Sequence, residues 1–203
     1  MLRRYTDLPA LLEILNKKQI TLLSPSSWDD RNDRYLMDAY KSKNKLKTLL
    51  ALCFSLTDDT YHHWKVFSPG NSGVCIEFYK SKLTTKISGN GFIHSNITYK
   101  KISDLKKPIP EKDLPFIKRY AFRDEAEYRI IYQSNIEKLE TKPIKIDMNA
   151  INRIIINPWI PDSLFESIKQ TIGNIPDCKG IGVIQSKVID SPSWKRFSDN
   201  YTP

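Results

Sequence analysis

The sequence predicts a single α+β domain. Short β-prone apolar runs recur along the whole chain of 203 residues, whereas only three stretches have the spacing and terminal residues of helices. The chain contains no internal repeat, low-complexity tract or change in composition that would mark a linker. Many strands with few helices are typical of the α+β class, so we expect residues 1–203 to form one domain.

The predicted strands are short runs that either alternate between polar and apolar residues or remain apolar. LRRYT and GFIHSNITY alternate, as half-buried strands do, while ALCFSL and GVCIEFY are apolar enough for a buried position. A further strand opens with the Glu-Ala-Glu sequence, after a proline-rich loop. The predicted strands cover residues 2–6, 20–24, 51–56, 73–79, 91–99, 125–132, 143–148, 152–157 and 180–188.

Three helices are predicted from their spacing and their end signals. The first covers residues 7–19, with Asp7 as N-cap and Pro9 in the first turn, and it ends in basic residues that suit the helix dipole. Leucine and tyrosine residues at roughly helical spacing predict a second helix over residues 34–49. The third covers residues 161–173, which begin with Pro-Asp and end with Gly.

The composition is that of a soluble cytoplasmic protein. Hydrophobic residues make up 40% and charged residues 27% of the chain. No apolar stretch approaches the ~20 residues that span a bilayer, and acidic residues and a proline interrupt the basic N-terminus, which excludes a signal-peptide core. Cys53, Cys75 and Cys178 are odd in number and lack CxxC spacing, so neither a disulfide framework nor a zinc site is expected.

The net charge points to a polyanionic partner. Thirty-two Lys and Arg against 23 Asp and Glu leave a charge of +9 and a pI of about 9.3. The excess concentrates in residues 41–47, 100–101, 106–107 and 194–197. RNA or DNA is one interpretation of these clusters. The alternative is a lysine-rich solvated surface without a dedicated partner.

Two carboxylates stand at the start of a β-prone run in FRDEAEYRIIY. In an extended chain Glu125 and Glu127 point to the same side, where two like charges repel each other. Such a pair either stays in water, forming surface ion pairs with Arg123, Arg129 or nearby lysines, or it has a function.

Common nucleotide-binding, metalloprotease and hydrolase motifs are absent from the sequence. The adjacent His62 and His63 would point to opposite sides of a strand, so a paired metal site is not expected there. An acidic cluster in WDDRND, joined by Glu77, offers oxygen ligands for Mg²⁺ and hence the alternative of a nuclease. Against this, Asp-rich turns usually cap helices or bond to their own backbone.

Three separated stretches, LRRYT, LCFSLT and EAEYRI, present Arg4, Ser55 and Glu127 in that order, each on a predicted strand. In this respect the chain resembles the toxin-like branch of the ADP-ribosyltransferase superfamily. It is also similar, over nearly its whole length, to a bacterial family of uncharacterised domains with Cys-Phe-Ser, Gly-Val-Cys-Ile-Glu-Phe and Glu-x-Glu-Tyr-Arg-Ile signatures. It departs from that family in WDDRND, where an Asn-Asp-Pro-x-Glu-like turn is usual, and at Phe122, where Trp is usual.

The resemblance implies split, mixed β-sheets flanked by a few helices, and NAD as co-substrate. Glu127 would grip the ribose 2′-OH and face the charge of an oxocarbenium-like state. Arg4 would hold the diphosphate or the adenine-side ribose, and Ser55 would tie Glu127 or Arg4 into position. Glu125 would take a proton from the acceptor.

The remaining NAD contacts are expected from the first strand and from an aromatic segment. Tyr5 and Thr6 follow Arg4 in the first motif. Tyr61 and Trp64 offer aromatic faces that suit a nicotinamide or adenine ring, although core packing is the alternative for Trp64.

A small transferase with this resemblance would be a bacterial toxin or phage-defence effector with a neutralising antitoxin. Glu-x-Glu often goes with arginine acceptors in the superfamily, whereas the charge of +9 favours a nucleic acid. Transfer to RNA or DNA would need an unstacked base within reach of Glu125, which favours single strands over duplex. The alternatives are a non-catalytic nucleic-acid-binding or toxin-partner module and the metal-dependent nuclease.

Overall fold

The computed structural model describes residues 1–87, 89, 91–106, 108–199 and 201, and it confirms the α+β class with mixed sheets. The strands are β1 (Leu2–Asp7), β2 (Gln19–Leu23), β3 (Thr48–Ser55), β4 (Gly73–Phe78), β5 (Phe92–Asn96), β6 (Thr98–Lys100), β7 (Ile117–Arg119), β8 (Glu127–Ser134), β9 (Thr141–Lys145), β10 (Ile151–Ile156) and β11 (Gly182–Gln185). The helices are α1 (Leu8–Lys17), α2 (Arg31–Lys43), α3 (Tyr61–Phe67), α4 (Lys80–Thr84), α5 (Asp162–Gly173) and α6 (Pro192–Asp199). Among the described residues, no helix combines the length and the apolar character that crossing a membrane requires.

The main sheet has nine strands and branches at β3. The order β11-β10-β4-β1-β3-β2-β9 forms the path, and β8 and β5 are added on the other edge of β3. β8 pairs with β3 along its whole length, whereas β1 and β2 share the opposite edge and each pairs with β3 at a single position. The first half of the sheet therefore separates from the second where β1 leaves β3.

The two faces of β3 and β8 have different surroundings. On one face, Leu50, Leu52 and Phe54 belong to a large apolar core that also contains Leu11 and Leu15 of α1. The other face is apolar only near the start of β3, where its residues pack on Met37 and Tyr40 of α2. Towards the end of β3 this second face becomes polar, and this change positions the candidate site.

The predicted second helix has the wrong boundaries. α2 begins at Arg31 because the side chain of Asp30 accepts hydrogen bonds from the backbone N–H groups of Asn32 and Asp33. It ends at Lys43, and Lys45 adopts a positive φ of 52° soon afterwards. Leu49 and Leu50, which had extended the predicted helix, belong to β3. Because the side chains of β3 are buried on both faces, its apolar residues do not alternate with polar ones, and their pattern cannot distinguish a strand from a helix.

Candidate active site

A cavity of about 410 Å³ opens where β1 and β3 part, and we call it the β1–β3 cavity. Arg3 and Ser55 are the one paired position between the two strands in the described part of the sheet. Residues 3–5 of β1 and residues 53–55 of β3 line the cavity in unbroken succession. Because side chains alternate along a strand, consecutive residues reach one cavity only where the strands separate. The volume is in the ~300–1,000 Å³ range of small-molecule sites.

Three neighbouring strands place a polar row at the end of this cavity. Ser55 is paired with Arg3 on one side and with Glu127 on the other. Paired residues of antiparallel strands project to the same face, so these three side chains lie in one row across β1, β3 and β8. The structure thus brings the predicted serine and glutamate together, with Arg3 in the row and Arg4 beside it.

The two arginines differ in their partners. Arg3 is buried and lies 2.6 Å from Asp58 and 2.8 Å from Glu77, and these carboxylates neutralise it. Arg4 donates to the carbonyl oxygen of Cys53 at 3.1 Å, and no carboxylate of the described residues lies within ion-pair distance of it. Burial lowers the pKa of Arg4, but an arginine stays protonated at neutral pH. Among the described residues, Arg4 is therefore the cation of this cavity whose charge no carboxylate balances, so its guanidinium is available to an anionic ligand.

Glu127 is a buried carboxylate that is ionised at neutral pH. Arg129 contacts both of its oxygens, at 2.8 and 3.1 Å, and Lys118 lies 3.3 Å away. Burial on its own raises the pKa of Glu127, but the charges and hydrogen bonds of Arg129 and the charge of Lys118 outweigh it and lower that pKa to about 2. Cys53 connects Glu127 to Arg4, since its thiol hydrogen-bonds to the carboxylate and its carbonyl accepts from the guanidinium.

Glu125 reaches the same place by a different backbone path. The expectation that both glutamates lie on one strand is wrong, because Glu125 ends a 3₁₀ segment and Ala126 has a φ of 43° before β8 begins at Glu127. The two carboxylates nevertheless meet at Lys118, whose Nζ lies 2.5 Å from Glu125 and 3.3 Å from Glu127. Neither glutamate forms the surface ion pair that was the alternative, since both side chains are largely buried, and the Arg129 pair of Glu127 is an internal one.

The environments move the pKa values of the two glutamates in opposite directions. Burial raises the pKa of Glu125, and Lys118 offsets this only in part. The pKa of Glu127 is lowered as described above. When two neighbouring carboxyl groups have different pKa values, one can supply a fixed negative charge while the other exchanges a proton.

A buried ion-pair network supports Glu127 from behind. The guanidinium of Arg129 is fully buried and also binds both carboxylate oxygens of Asp33, at 3.1 and 2.6 Å, while its plane lies over the ring of Trp28. Lys118 was not named among the candidate site residues, while Asp33 was considered only as a metal ligand and Arg129 only as a partner in a surface ion pair. Strand alternation would have indicated Arg129, which stands two residues after Glu127 and so shares its face. Lys118 comes from another strand, and no spacing in the sequence indicates it.

Three of the acidic residues considered for Mg²⁺ have other partners. Asp30 caps α2, Asp33 is paired with Arg129, and Glu77 is paired with Arg3 and hydrogen-bonded to Asn152. In the described ranges, no group of three or more His, Cys, Asp or Glu side chains is arranged to hold a metal ion. The nuclease cluster is therefore not formed.

Ser55 has a partner that the sequence reasoning did not name. Its hydroxyl lies 3.2 Å from Nε2 of His63 and accepts a hydrogen bond from the backbone of Thr57, and it contacts neither Glu127 nor Arg4. The expectation for the histidine was also wrong, because His63 lies on α3, where Thr60 is the N-cap and hydrogen-bonds to the imidazole at 2.7 Å. Burial lowers the pKa of His63.

The aromatic residues of the cavity differ from those expected. Tyr5 lines the cavity and stacks on His63. Trp64 is fully buried and donates to Asp59, so it belongs to the core. Thr6 and Tyr61 are not among the lining residues. The aromatic residues that do line the cavity, in addition to Tyr5, are Trp28, Phe54, Phe67 and Phe122.

Comparison with known proteins gives two similarities. The model of a family described as "Protein of unknown function (DUF2971)" matches residues 63–130, a segment that contains GVCIEF and EAEYRI. Among solved structures, Thermus sp. 2.9 DarT in complex with NAD⁺ is similar with a TM-score of 0.48 and 10% identity, over 92% of this chain and 94% of that chain. No curated protein matches the chain.

Proposed function

We propose that the protein is an NAD-dependent ADP-ribosyltransferase that uses NAD as co-substrate. One observation carries the proposal: the β1–β3 cavity combines a buried, ionised Glu127 with Arg4, a cation without a carboxylate partner in the described part of the chain. NAD⁺ presents the complementary groups, a diphosphate and a ribose that becomes positively charged when nicotinamide leaves. The order Arg4, Ser55, Glu127 on neighbouring strands agrees with the resemblance to this superfamily.

Glu127 supplies the charge that the transition state needs. Breaking the bond between nicotinamide and ribose gives an oxocarbenium-like state, which a nearby carboxylate stabilises. Arg129 and Lys118 fix the carboxylate before substrate enters, so little reorganisation is required. The thiol of Cys53, which hydrogen-bonds to Glu127, is a weak donor. A ribose 2′-OH displaces it at small cost.

Arg4 orients the other end of the bond that breaks. A guanidinium donates charge-assisted hydrogen bonds to phosphate oxygens, and Arg4 is joined to Glu127 through Cys53. A diphosphate on Arg4 thus places the attached ribose near the carboxylate. The rings of Tyr5, Phe67 and Phe122 offer apolar faces in the same cavity for a flat heterocycle.

Glu125 completes the transfer step. As the acceptor atom bonds to C1′ of the ribose and nicotinamide departs as a neutral molecule, the acceptor loses a proton, and Glu125 takes it. Burial raises the pKa of Glu125, which makes its carboxylate a stronger base than an ordinary glutamate. The neighbouring Lys118 stabilises the carboxylate before the transfer.

A nucleic acid, single-stranded RNA or DNA, is the acceptor that the charge of +9 favours, with protein as the other class. The biological setting that fits is a bacterial cytoplasmic toxin or phage-defence effector held in check by an antitoxin. A non-catalytic nucleic-acid-binding module is the second candidate, because the same excess of Lys and Arg suffices for it. Binding of NAD⁺ separates the two.

Calorimetric titration with NAD⁺ tests the proposal. The wild type should bind, and Arg4→Ala should bind about 10- to 100-fold more weakly, because a hydrogen bond to a charged group contributes ~1.5–3 kcal/mol. Arg196→Ala removes an exposed guanidinium in α6 and should leave the affinity unchanged. Absence of NAD⁺ binding by the wild type, or equal affinities for all three proteins, would contradict the proposal.

A further inference from the structure

The two-stranded sheet β6–β7 has one face on the candidate site and one face on a second cavity. Tyr99 and Lys118 are paired, and both reach Glu127, Tyr99 through a hydrogen bond from the backbone N–H of Glu127 at 2.8 Å. The next paired residues, Lys100 and Arg119, therefore point the other way. On that side lies a cavity of about 570 Å³, which Lys100 lines, and we call it the second cavity.

Five cations lie on or beside the two-stranded sheet β6–β7, and we call them the basic surface: Lys100, Lys101, Lys106, Arg119 and Arg123. In the part of the chain that the structure describes, the first four have no carboxylate within ion-pair distance. Arg123 has Asp124 at 3.8 Å, a loose contact between exposed side chains. Asp104 and Asp113, which both line the second cavity, are the other nearby carboxylates, and Asp104 accepts a hydrogen bond from the backbone of Lys101. The surface thus keeps an excess of positive charge.

An aromatic ring holds two of these cations in place. Nζ of Lys101 lies 5.1 Å, and the guanidinium carbon of Arg123 4.6 Å, from the ring centre of Tyr120. Such contacts hold a cation without neutralising it. Fixed positive charges that are not balanced by carboxylates suit the regularly spaced phosphates of a nucleic-acid strand.

The second cavity has the chemistry to receive an unpaired base. The side chains of Asn96 and Phe116 are among those that line it, together with Lys106. An amide hydrogen-bonds to base edges, and an aromatic ring stacks on a base face. Only a strand whose bases are unpaired can place one in such a cavity.

The basic surface is also directly connected to the proposed acceptor base. The 3₁₀ segment Tyr120–Glu125 carries Tyr120 at its start, Arg123 in the middle and Glu125 at its end. A nucleic-acid strand bound on the outer face of β6–β7 is therefore separated by one short 3₁₀ segment from Glu125, whose carboxylate faces the β1–β3 cavity.

We propose that the basic surface and the second cavity bind the acceptor, a single-stranded nucleic acid, with phosphates on the cations and one base in the second cavity. The inference rests on the proposed function in one respect, that the bound strand is the acceptor of ADP-ribose. Binding of the strand itself requires no NAD.

Fluorescence anisotropy with labelled 20-nucleotide single strands, in the absence of NAD⁺ and over a range of salt concentrations, tests this. The Lys101→Glu/Arg119→Glu variant should bind at least 10-fold more weakly, and the slope of log affinity against log salt should fall by about 1.4, since each phosphate contact on a single strand contributes ~0.7. Lys179→Glu/Lys187→Glu makes the same change in net charge beside β11, at the other end of the main sheet. This control should retain most of the affinity, and all variants should melt at the wild-type temperature.

Equal losses in the two double variants would overturn the inference, because binding would then follow net charge alone. Failure of the wild type to bind any strand would overturn it as well, and so would binding of an acidic protein surface in preference to the strand. An abasic strand of the same length that bound as tightly as the normal one would remove the base from the second cavity. Binding of the nucleic-acid strand without binding of NAD⁺ would contradict the proposed transferase function, but it would still support the basic surface as a nucleic-acid-binding site.

Discussion

At the scale of the residue, the candidate site depends on how Lys118 divides its charge between two carboxylates. Its Nζ is closest to Glu125, yet the pKa of Glu125 is raised, because burial outweighs the lysine. Glu127 has Arg129 in addition, and its pKa falls to about 2. Burial lowers the pKa of Lys118, but the two glutamates reverse this and raise it, so the lysine stays charged. Lys118 is therefore a positioning residue that also sets the protonation of Glu125.

Lys118→Met should shift the pH dependence of transfer. Removing the positive charge raises the pKa of Glu125 further, so the acidic limb of the transfer rate should move to higher pH. Release of nicotinamide depends on Glu127, which Arg129 still keeps ionised, so its pH profile should stay flat near neutrality. Lys118→Arg retains the cation and should behave as the wild type. Identical profiles for transfer in Lys118→Met and the wild type would show that Glu125 is not the base.

At the scale of the element, the sequence predicted those helices and strands that depend on residues close together along the chain. Asp7 caps the start of α1 as predicted, although the helix ends at Lys17 and not at residue 19, and α5 begins after Pro161 and ends at Gly173 as predicted. Pairing of β1, β3 and β8 brings the predicted Arg, Ser and Glu motifs together. The positive φ of Ala126 was not predictable, because alanine rarely adopts that conformation and tertiary contacts impose it. The start of β3 was not predicted, because burial on both faces of the strand removes the alternation of polar and apolar residues that would mark it.

The N-cap of α1 gives a stability prediction. The carboxylate of Asp7 accepts from the backbone N–H of Ala10 at 2.8 Å, and loss of such a cap costs about 1 kcal/mol of unfolding free energy. Asp7→Ala should therefore lower the melting temperature by about 2–4 °C. Asp7→Asn keeps an oxygen acceptor and should melt close to the wild type. No change in Asp7→Ala would mean that water satisfies the end of the helix equally well.

At the scale of the whole molecule, distant segments build the site, and this limits what the sequence could predict. Glu127, Lys118 and Asp33 come from β8, β7 and α2, and Arg129 joins them inside the protein. A single sequence shows the residue types but not which distant cation meets which carboxylate. For the same reason the sequence left two interpretations of Trp64 open, a ring that stacks on a ligand and a core residue, and the structure shows that it is core.

Acid sensitivity should follow from this buried network. The pKa of Glu127 is about 2 in the folded protein and near its ordinary 4.5 in the unfolded chain. The ionised group therefore stabilises the fold above about pH 4.5, and this contribution, about 3 kcal/mol, is lost as the pH falls towards 2. Denaturant unfolding at pH 6 and pH 3 should show a smaller loss of stability in Glu127→Gln than in the wild type. An equal loss in both proteins would place the acid-sensitive groups elsewhere.

The most direct test of the central claim measures nicotinamide release and acceptor labelling side by side, in one preparation of each protein with labelled NAD⁺ and pools of RNA, DNA and protein. Glu127→Gln should lose both reactions, because both break the same glycosidic bond. Glu125→Gln should lose labelling and retain slow release of nicotinamide, since water needs less activation than a specific acceptor atom. Glu166→Gln, an exposed change on α5, should match the wild type. Nicotinamide release by Glu127→Gln at the wild-type rate would contradict the account.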